Sequence, residues 1–229
     1  MDQIIIRPIA KMQSDFPSKF GIPRQSGLVQ ELQSTIVFEP EFRNPDTLRG
    51  LEGYSHLWLI WQFSKAVTQD FRPTVRPPRL GGNERVGVFA SRAPYRPNAL
   101  ALSCVKLLRV DYDAPDGPAL IIGGVDMLSG TPVFDIKPYI PVADCHPEAT
   151  QGYTKETREH ALEVVIPDQL QALVPEGKLP SLIGVLKTDP RPGYEDDPAV
   201  TYGMAYAGLD VGFTVEKGVL TVTRIERKE

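Results

Sequence analysis

Proline placement decides most of what this chain can fold into. There are 22 prolines in 229 residues, roughly twice the usual share. Each fixes φ and removes a backbone donor, which argues against long regular helices and for stiff loops. The apolar or alternating stretches left between them are short: Ile4–Met12, Ser34–Glu39, Ser55–Phe63, Arg85–Ala90, Leu100–Tyr112 and Ala119–Asp126. Their Val, Ile, Trp and Phe content, with turn residues between, predicts strands. Successive strands without an intervening helical pattern predict a barrel or sandwich. Asp46–Leu51 reads as a short helical turn.

The later residues read differently. Ala161–Ile166 predicts one more strand, Pro167 the first position of a short helix, and Leu179–Leu186 a second helix. Val211–Glu216 and Val219–Ile225 flank Lys217-Gly218, a hairpin signal. Residues 1–139 hold 16 basic and 14 acidic residues, whereas residues 140–229 hold 9 and 15. The sign of the charge changes near the polar loop Pro141–Gly152, which places a domain boundary between residues 148 and 149. The fold class expected is therefore mainly β, a barrel or sandwich over residues 1–148 followed by a smaller part with strands and short helices over residues 149–229.

Within the first part, RPTVRPPRLGGNERVGVFASRAPYRPN (Arg72–Asn98) stands apart. Six arginines (Arg72, Arg76, Arg79, Arg85, Arg92 and Arg96) face one carboxylate, Glu84, while the whole chain is −4. Five prolines and three glycines share the stretch, so its shape is set. Arginine rather than lysine suits planar, bidentate recognition of phosphate or carboxylate. Anion binding is the reading that the charge imbalance favours; a solvated rim is the alternative.

Several chemistries find no foothold. Leu80-Gly81-Gly82-Asn83 and Ile122-Gly123-Gly124-Val125 are not dinucleotide fingerprints and read as turns or bulges. Ser103 and Ser129 lack a nucleophile-elbow context. His56, His146 and His160, with Cys104 and Cys145, have no ligand spacing, so no metal is expected. Core packing is the expected role of Cys104. The longest strongly apolar run, Leu57–Trp61, is too short to span a bilayer. MDQIIIRPIA lacks the marks of a secretory signal, so the cytoplasm is expected.

Polar groups concentrate in four stiff segments: Phe20–Gly27, Leu51–Trp58, the arginine stretch and Asp126–Tyr139. In the last, Ser129-Gly130-Thr131 could turn its amides toward a ligand as a nest or form a plain β-turn. Asp135 and Lys137 fall on one face of a strand, where a surface ion pair contributes little. His56 before an apolar strand reads as structural.

PRQ at Pro23–Gln25, LRGLEGYSHLWLIW at Leu48–Trp61, the arginine stretch, SGTPVFDIKPYIP at Ser129–Pro141 and KTDPRPGY at Lys187–Tyr194 together resemble one family. It is the TsaA-like β-barrel family of S-adenosylmethionine-dependent tRNA methyltransferases, whose bacterial members methylate N6 of threonylcarbamoyladenosine beside the anticodon. The resemblance implies a barrel that binds S-adenosylmethionine, a small C-terminal α+β domain facing RNA, and a homodimer acting on the tRNA anticodon loop. By motif, it implies donor contacts from Arg24, Gln25 and Ser26, from Phe63, Ser64 and Lys65, from Arg92 and Leu102, and from Leu128, Ser129, Gly130 and Thr131. It implies RNA contacts from Asp189, Arg191 and Tyr194. Arg72, Arg76, Arg79, Arg96 and Lys137 would hold RNA beside them. Polar groups to assist an exocyclic amine as it sheds a proton would be Asp126, Asp135, Tyr139 or Asp189; Tyr139 or Tyr194 could stack on a base. The chain departs from the family's R-P-N-P-I-G-L-S by reading Ala99 and Ala101 in Arg96–Ser103. It has Ser26 where proline is frequent and Ser64 where histidine is frequent. The alternatives are a non-catalytic RNA-binding barrel and a methyltransferase for a small molecule, the latter favoured by the −6 of residues 140–229.

Overall fold

This computed structural model describes residues 4–65, 71–77, 84–155, 161–191 and 197–228. Six strands close into a barrel: β1 (Ala10–Gln13), β2 (Gln33–Phe38), β3 (His56–Gln62), β6 (Leu100–Asp111), β7 (Ala119–Gly123) and β8 (Pro132–Pro138). Around the barrel the order is β1-β2-β7-β6-β3-β8, with every pairing antiparallel. Between β3 and β6, the arginine stretch forms a two-stranded ribbon, β4 (Thr74–Val75) and β5 (Val86–Gly87). Strict alternation explains β3: Leu57, Leu59 and Trp61 are buried in the barrel, while Trp58, Ile60 and Gln62 face out. Met12, Ile36, Leu57, Leu59, Leu120, Ile122 and Val133 fill the barrel core.

The expected fold class is what forms, with local corrections. Ile4–Met12 is not a strand throughout; pairing begins at Ala10, because Pro8 cannot donate to a ladder. Ile4 and Ile5 are each 89% exposed. In Arg85–Ala90 only Val86–Gly87 pairs, and Val88–Ala90 is a 3-10 turn. Cys104 is half-buried on the outer face of β6, opposite Trp58, because Ser103 and Val105 take the inward positions of the alternation.

After the short helix α1 (Pro141–Asp144), the chain adds β9 (Glu163–Val165), β10 (Tyr202–Tyr206), β11 (Leu209–Glu216) and β12 (Val219–Arg227). They form one sheet in the order β10-β11-β12-β9. Pro167 caps α2 (Asp168–Gln171) rather than opening it. The longer α3 (Leu179–Lys187) buries Leu182, Val185 and Leu186 against Val211, Phe213, Leu220 and Val222. Lys217 and Gly218 both take positive φ (49° and 83°), the twist a two-residue hairpin needs. Phe16, Val29 and Leu32, from the loop after β1, are buried in this second core. That insertion anchors the Pro23–Gln25 motif between the two parts of the molecule.

Candidate functional site

The site lies where β3 and β6 run side by side. Outward-facing Trp58, Ile60 and Gln62 stand in register with Cys104, Leu102 and Leu100. The loop Ile22–Gln25, the strand end Phe63–Lys65, the segment Ser91–Arg96 and the run Asp126–Leu128 complete a cleft of about 640 Å3, a usual size for a small-molecule site. Its floor is apolar, with Trp58, Ile60, Trp61, Phe63 and Leu102. Leu102 is 54% exposed, which leaves aliphatic surface open for a planar ligand to cover. Lys19, Arg24, Lys65, Arg92 and Arg96 ring the cleft, and Asp126 is the one carboxylate among its described lining residues.

Asp126 is held by a buried relay. Trp61 Nε1–H donates to Ser103 Oγ at 3.0 Å, and the Ser103 hydroxyl donates to Asp126 Oδ1 at 2.8 Å. The backbone amide of Ser26 faces the same carboxylate closely enough to favour its charged form. Burial pushes the carboxyl up to about 6, and these donors with nearby Arg92 offset part of that rise. Ser26 therefore touches the site through its amide, and does not itself line the cleft.

Two glycines set that contact. Gly27 N–H donates to Gly124 O at 2.8 Å, and Gly124 N–H donates to Leu32 O at 2.9 Å. Gly124 has φ 70°, and a Cβ there would lie 3.0 Å from Gly27 Cα. The Gly123-Gly124 pair is thus a close backbone approach that docks the Arg24–Ser26 loop beside Asp126.

The turn before β8 corrects the nest reading. The amides of Ser129, Gly130 and Thr131 donate to Phe16 O, Met12 O and Leu128 O at 2.9, 2.7 and 3.2 Å, so none faces a ligand. It is a β-turn with Gly130 at φ 81°; Leu128 and Thr131 line the cleft, whereas Ser129 and Gly130 do not. Phe63 rests edge-on against Trp61 at 4.6 Å, and its amide donates to Ala99 O. Ser64 and Lys65 line the rim, where Lys65 O accepts from Lys19 Nζ at 2.9 Å. Ala99 has φ 44°, a value a proline ring forbids. The loop therefore closes in its own way where the family usually carries proline.

The arginines divide by partner. Arg92 Nη1 donates to Gln25 Oε1, joining two motifs far apart in sequence. Arg96 Nη1 donates to Val88 O and Ser91 O at 3.0 and 2.7 Å, so part of its guanidinium braces the loop. Arg72 lies over the Tyr95 ring at 4.9 Å. Arg72, Arg76, Arg85 and Arg92 are exposed, and none of them pairs with a carboxylate among the described residues.

Of the four candidate proton acceptors, only Asp126 lines the cleft. Asp135, on β8 beside Ile60, pairs with Lys137 Nζ at 3.1 Å and accepts from Ile136 N–H. Tyr139 rests on Trp58 with ring centres 5.7 Å apart, behind the cleft wall. Asp189 takes φ 51° and grips Arg191 twice, Nε to Oδ1 and Nη2 to Oδ2, both at 2.8 Å. Arg24 Nη2 reaches Arg191 O at 3.5 Å, so this loop abuts the cleft. Arg79 and Tyr194 lie outside the described residues. Sequence reasoning missed Lys19, which has no motif. It also left Trp58 and Ile60 out of the expected donor contacts, although the alternation of HLWLIWQ was enough to put them on the outer face.

Fold and cleft define a class: a closed β-barrel with a partly apolar cleft of small-molecule size next to a cationic rim. Residues 11–145 match the tRNA-methyltransferase O N-terminal domain, and residues 158–228 match the TrmO C-terminal domain. The chain belongs to the tRNA-methyltransferase O family. It is 36% identical over 234 residues to the Escherichia coli tRNA (adenine(37)-N6)-methyltransferase, with 99% of each chain covered. A Pseudomonas aeruginosa relative, 38% identical over 215 residues with 90% of each chain covered, is named for S-adenosylmethionine-dependent methyl transfer. The crystal structure of TrmO from Pseudomonas aeruginosa superposes with a TM-score of 0.80 at 29% identity, covering 98% of this chain and 99% of that one.

Proposed function

We propose that this chain transfers a methyl group from S-adenosylmethionine to N6 of an adenosine in the tRNA anticodon loop. More narrowly, the acceptor is threonylcarbamoyladenosine beside the anticodon. The observation that carries this reading is an apolar cleft whose described lining has one carboxylate and five cations, in a chain whose near-full-length Escherichia coli relative is named tRNA (adenine(37)-N6)-methyltransferase. The cleft suits the donor. Trp58, Ile60 and Leu102 would cover its adenine; Arg24, Lys19 and Arg92 would hold its carboxylate; Asp126 would balance its positive charge. When bound, it supplies a methyl group already activated on a sulfonium sulfur.

The protein's own work is then mainly alignment. An exocyclic adenine amine is a weak nucleophile, because its lone pair is delocalised into the ring. Asp126 is the cleft's hydrogen-bond acceptor for that amine as its nitrogen rehybridises and sheds a proton. The Trp61–Ser103 relay keeps the carboxylate oriented. Arg72 and Arg76 would grip phosphates outside the cleft, and the same proposal assigns Arg79, Arg191 and Tyr194 to RNA. The same proposal includes the division at residue 148, a homodimer covering exposed Ile140 and Val142, and a cytoplasmic site of action.

Arg76→Ala is expected to weaken tRNA binding and to lower the slope of log K against log salt by about one, leaving donor affinity unchanged by calorimetry. Equal loss of both affinities would refute this division of labour. The reaction itself is tested by release of S-adenosylhomocysteine, expected only when tRNA is present. A small-molecule acceptor, the reading that the −6 of residues 140–229 favours, would instead give release without tRNA. Absence of heat on titrating S-adenosylmethionine would point to a non-catalytic RNA-binding barrel. Nucleoside mass spectrometry of tRNA from cells lacking the protein tests the narrower acceptor.

A further inference from the structure

Phe89 is 74% exposed, unusual for a phenylalanine whose neighbours are tightly held. It sits in the middle of the 3-10 turn Val88–Ala90, whose first residue is 1% exposed. Val88 N–H donates to Pro73 O at 3.0 Å, and Ser91 Oγ donates to Val88 O at 2.9 Å. Arg96 closes the turn through Val88 O and Ser91 O, and its guanidinium carbon lies 5.6 Å from the centre of the Phe89 ring. The ring is therefore presented on a rigid support instead of being left on a slack loop. Keeping it out of the core forgoes the stabilisation its burial would give, of which the exposed contact with Arg96 returns only a part.

Its surroundings indicate what covers it. Arg72, Arg76, Arg85 and Arg92 are exposed in the same stretch and pair with no described carboxylate. Arg96 and Arg92 also line the cleft, so the ring stands beside an arginine of the cleft lining. An exposed aromatic face among arginines that no described carboxylate neutralises is the combination that binds single-stranded nucleic acid, the ring stacking on a base and the guanidinia holding phosphates. We propose that Phe89 is a stacking platform for the nucleobase next to the one that enters the cleft. This rests on the RNA-modifying reading above and deepens it, assigning to the barrel loop a base contact that none of the motifs singled out.

The test uses the full-length protein and a synthetic anticodon stem–loop RNA. Phe89→Ala and Phe89→Leu are each expected to lower RNA affinity roughly ten- to hundred-fold, with Phe89→Trp retaining it. Donor affinity by calorimetry and the sedimentation coefficient should be unchanged in all three. With 5-iodouridine placed in turn at each single-stranded loop position, irradiation should crosslink one position to the peptide containing Phe89. Full RNA affinity in Phe89→Leu, or a changed sedimentation coefficient in Phe89→Ala, would overturn the platform and identify the ring as an apolar contact with another protein copy. If the unaltered protein binds no RNA, the RNA-modifying reading fails and the platform with it. Loss confined to the variants' RNA affinity separates the two ideas.

Discussion

Replacing Asp126 with asparagine is expected to cut turnover by roughly 10²- to 10⁴-fold without loss of the fold. Asparagine keeps the side chain's shape and can still accept from Ser103, so the cleft should stay formed. It cannot take a proton from the amine. Because burial pushes the Asp126 carboxyl up to about 6, turnover in the parent should climb as pH rises through that value, and the variant should lose this limb. Stability should move in the opposite direction. The carboxyl's folded-state value, about 6, lies above its ordinary 3.8. Between the two, the folded chain retains a proton that the unfolded chain has released. The group's contribution is thus fully present below the ordinary value and is lost as pH rises through the folded one. The asparagine variant should therefore be more stable to denaturant than the parent at pH 8, by up to about 3 kcal/mol, and match it near pH 4. A variant with parental turnover, or one less stable at pH 8, would remove Asp126 from its assigned place.

Much of the barrel was legible in the sequence because inward and outward residues alternate plainly in β2 and β3, whereas in β6 Leu102 and Cys104 face out and Ser103 faces in. Lys217-Gly218 announced its hairpin for a local reason, since only a few residue pairs tolerate two positive φ values in succession. The neighbouring hairpin uses Ala207-Gly208, at 49° and 76°, and went unread because alanine is not a turn signal. β10 was missed along with it: Tyr202-Gly203-Met204-Ala205-Tyr206 has two small residues and is buried on both faces near its end, which erases the alternation. For the site, motifs placed Arg24, Gln25, Arg92 and Leu102 around one cleft, although they come from different loops and strands. They could not show that Asp126 stands inside while Asp135 and Asp189 are held by Lys137 and Arg191. Which carboxylate a cation neutralises depends on tertiary contacts that spacing does not encode. Of the two readings of Ser129–Thr131 the plain β-turn is the one that forms, and spacing could not choose it, as the carbonyls that take those amides belong to Met12 and Phe16, more than a hundred positions away, and to Leu128.

Gly124→Ala is expected to damage both fold and site, because the glycine is needed twice. At φ 70° an alanine is strained by about 1–2 kcal/mol. Its Cβ would also lie 3.0 Å from Gly27 Cα and 3.1 Å from Gly27 N, and backbone, unlike a flexible side chain, cannot rotate away. The Arg24–Gly27 loop must then move, stretching the 2.8 Å hydrogen bond from Gly27 N–H to Gly124 O and withdrawing the Ser26 amide from Asp126. The sum is roughly 2–4 kcal/mol, or about 5–15 °C in melting temperature for a chain of this size. Gly177→Ala separates strain from crowding: Gly177 has φ 76°, and a Cβ there would meet nothing within 4 Å, so it should lose only the strain energy and keep full donor affinity. Gly124→Ala should bind S-adenosylmethionine more weakly even well below its melting temperature, as the loop bearing Arg24 and Gln25 no longer docks. Equal melting temperatures for the two variants, or undiminished donor affinity in Gly124→Ala, would show that the close approach of Gly27 and Gly124 does not position the cleft.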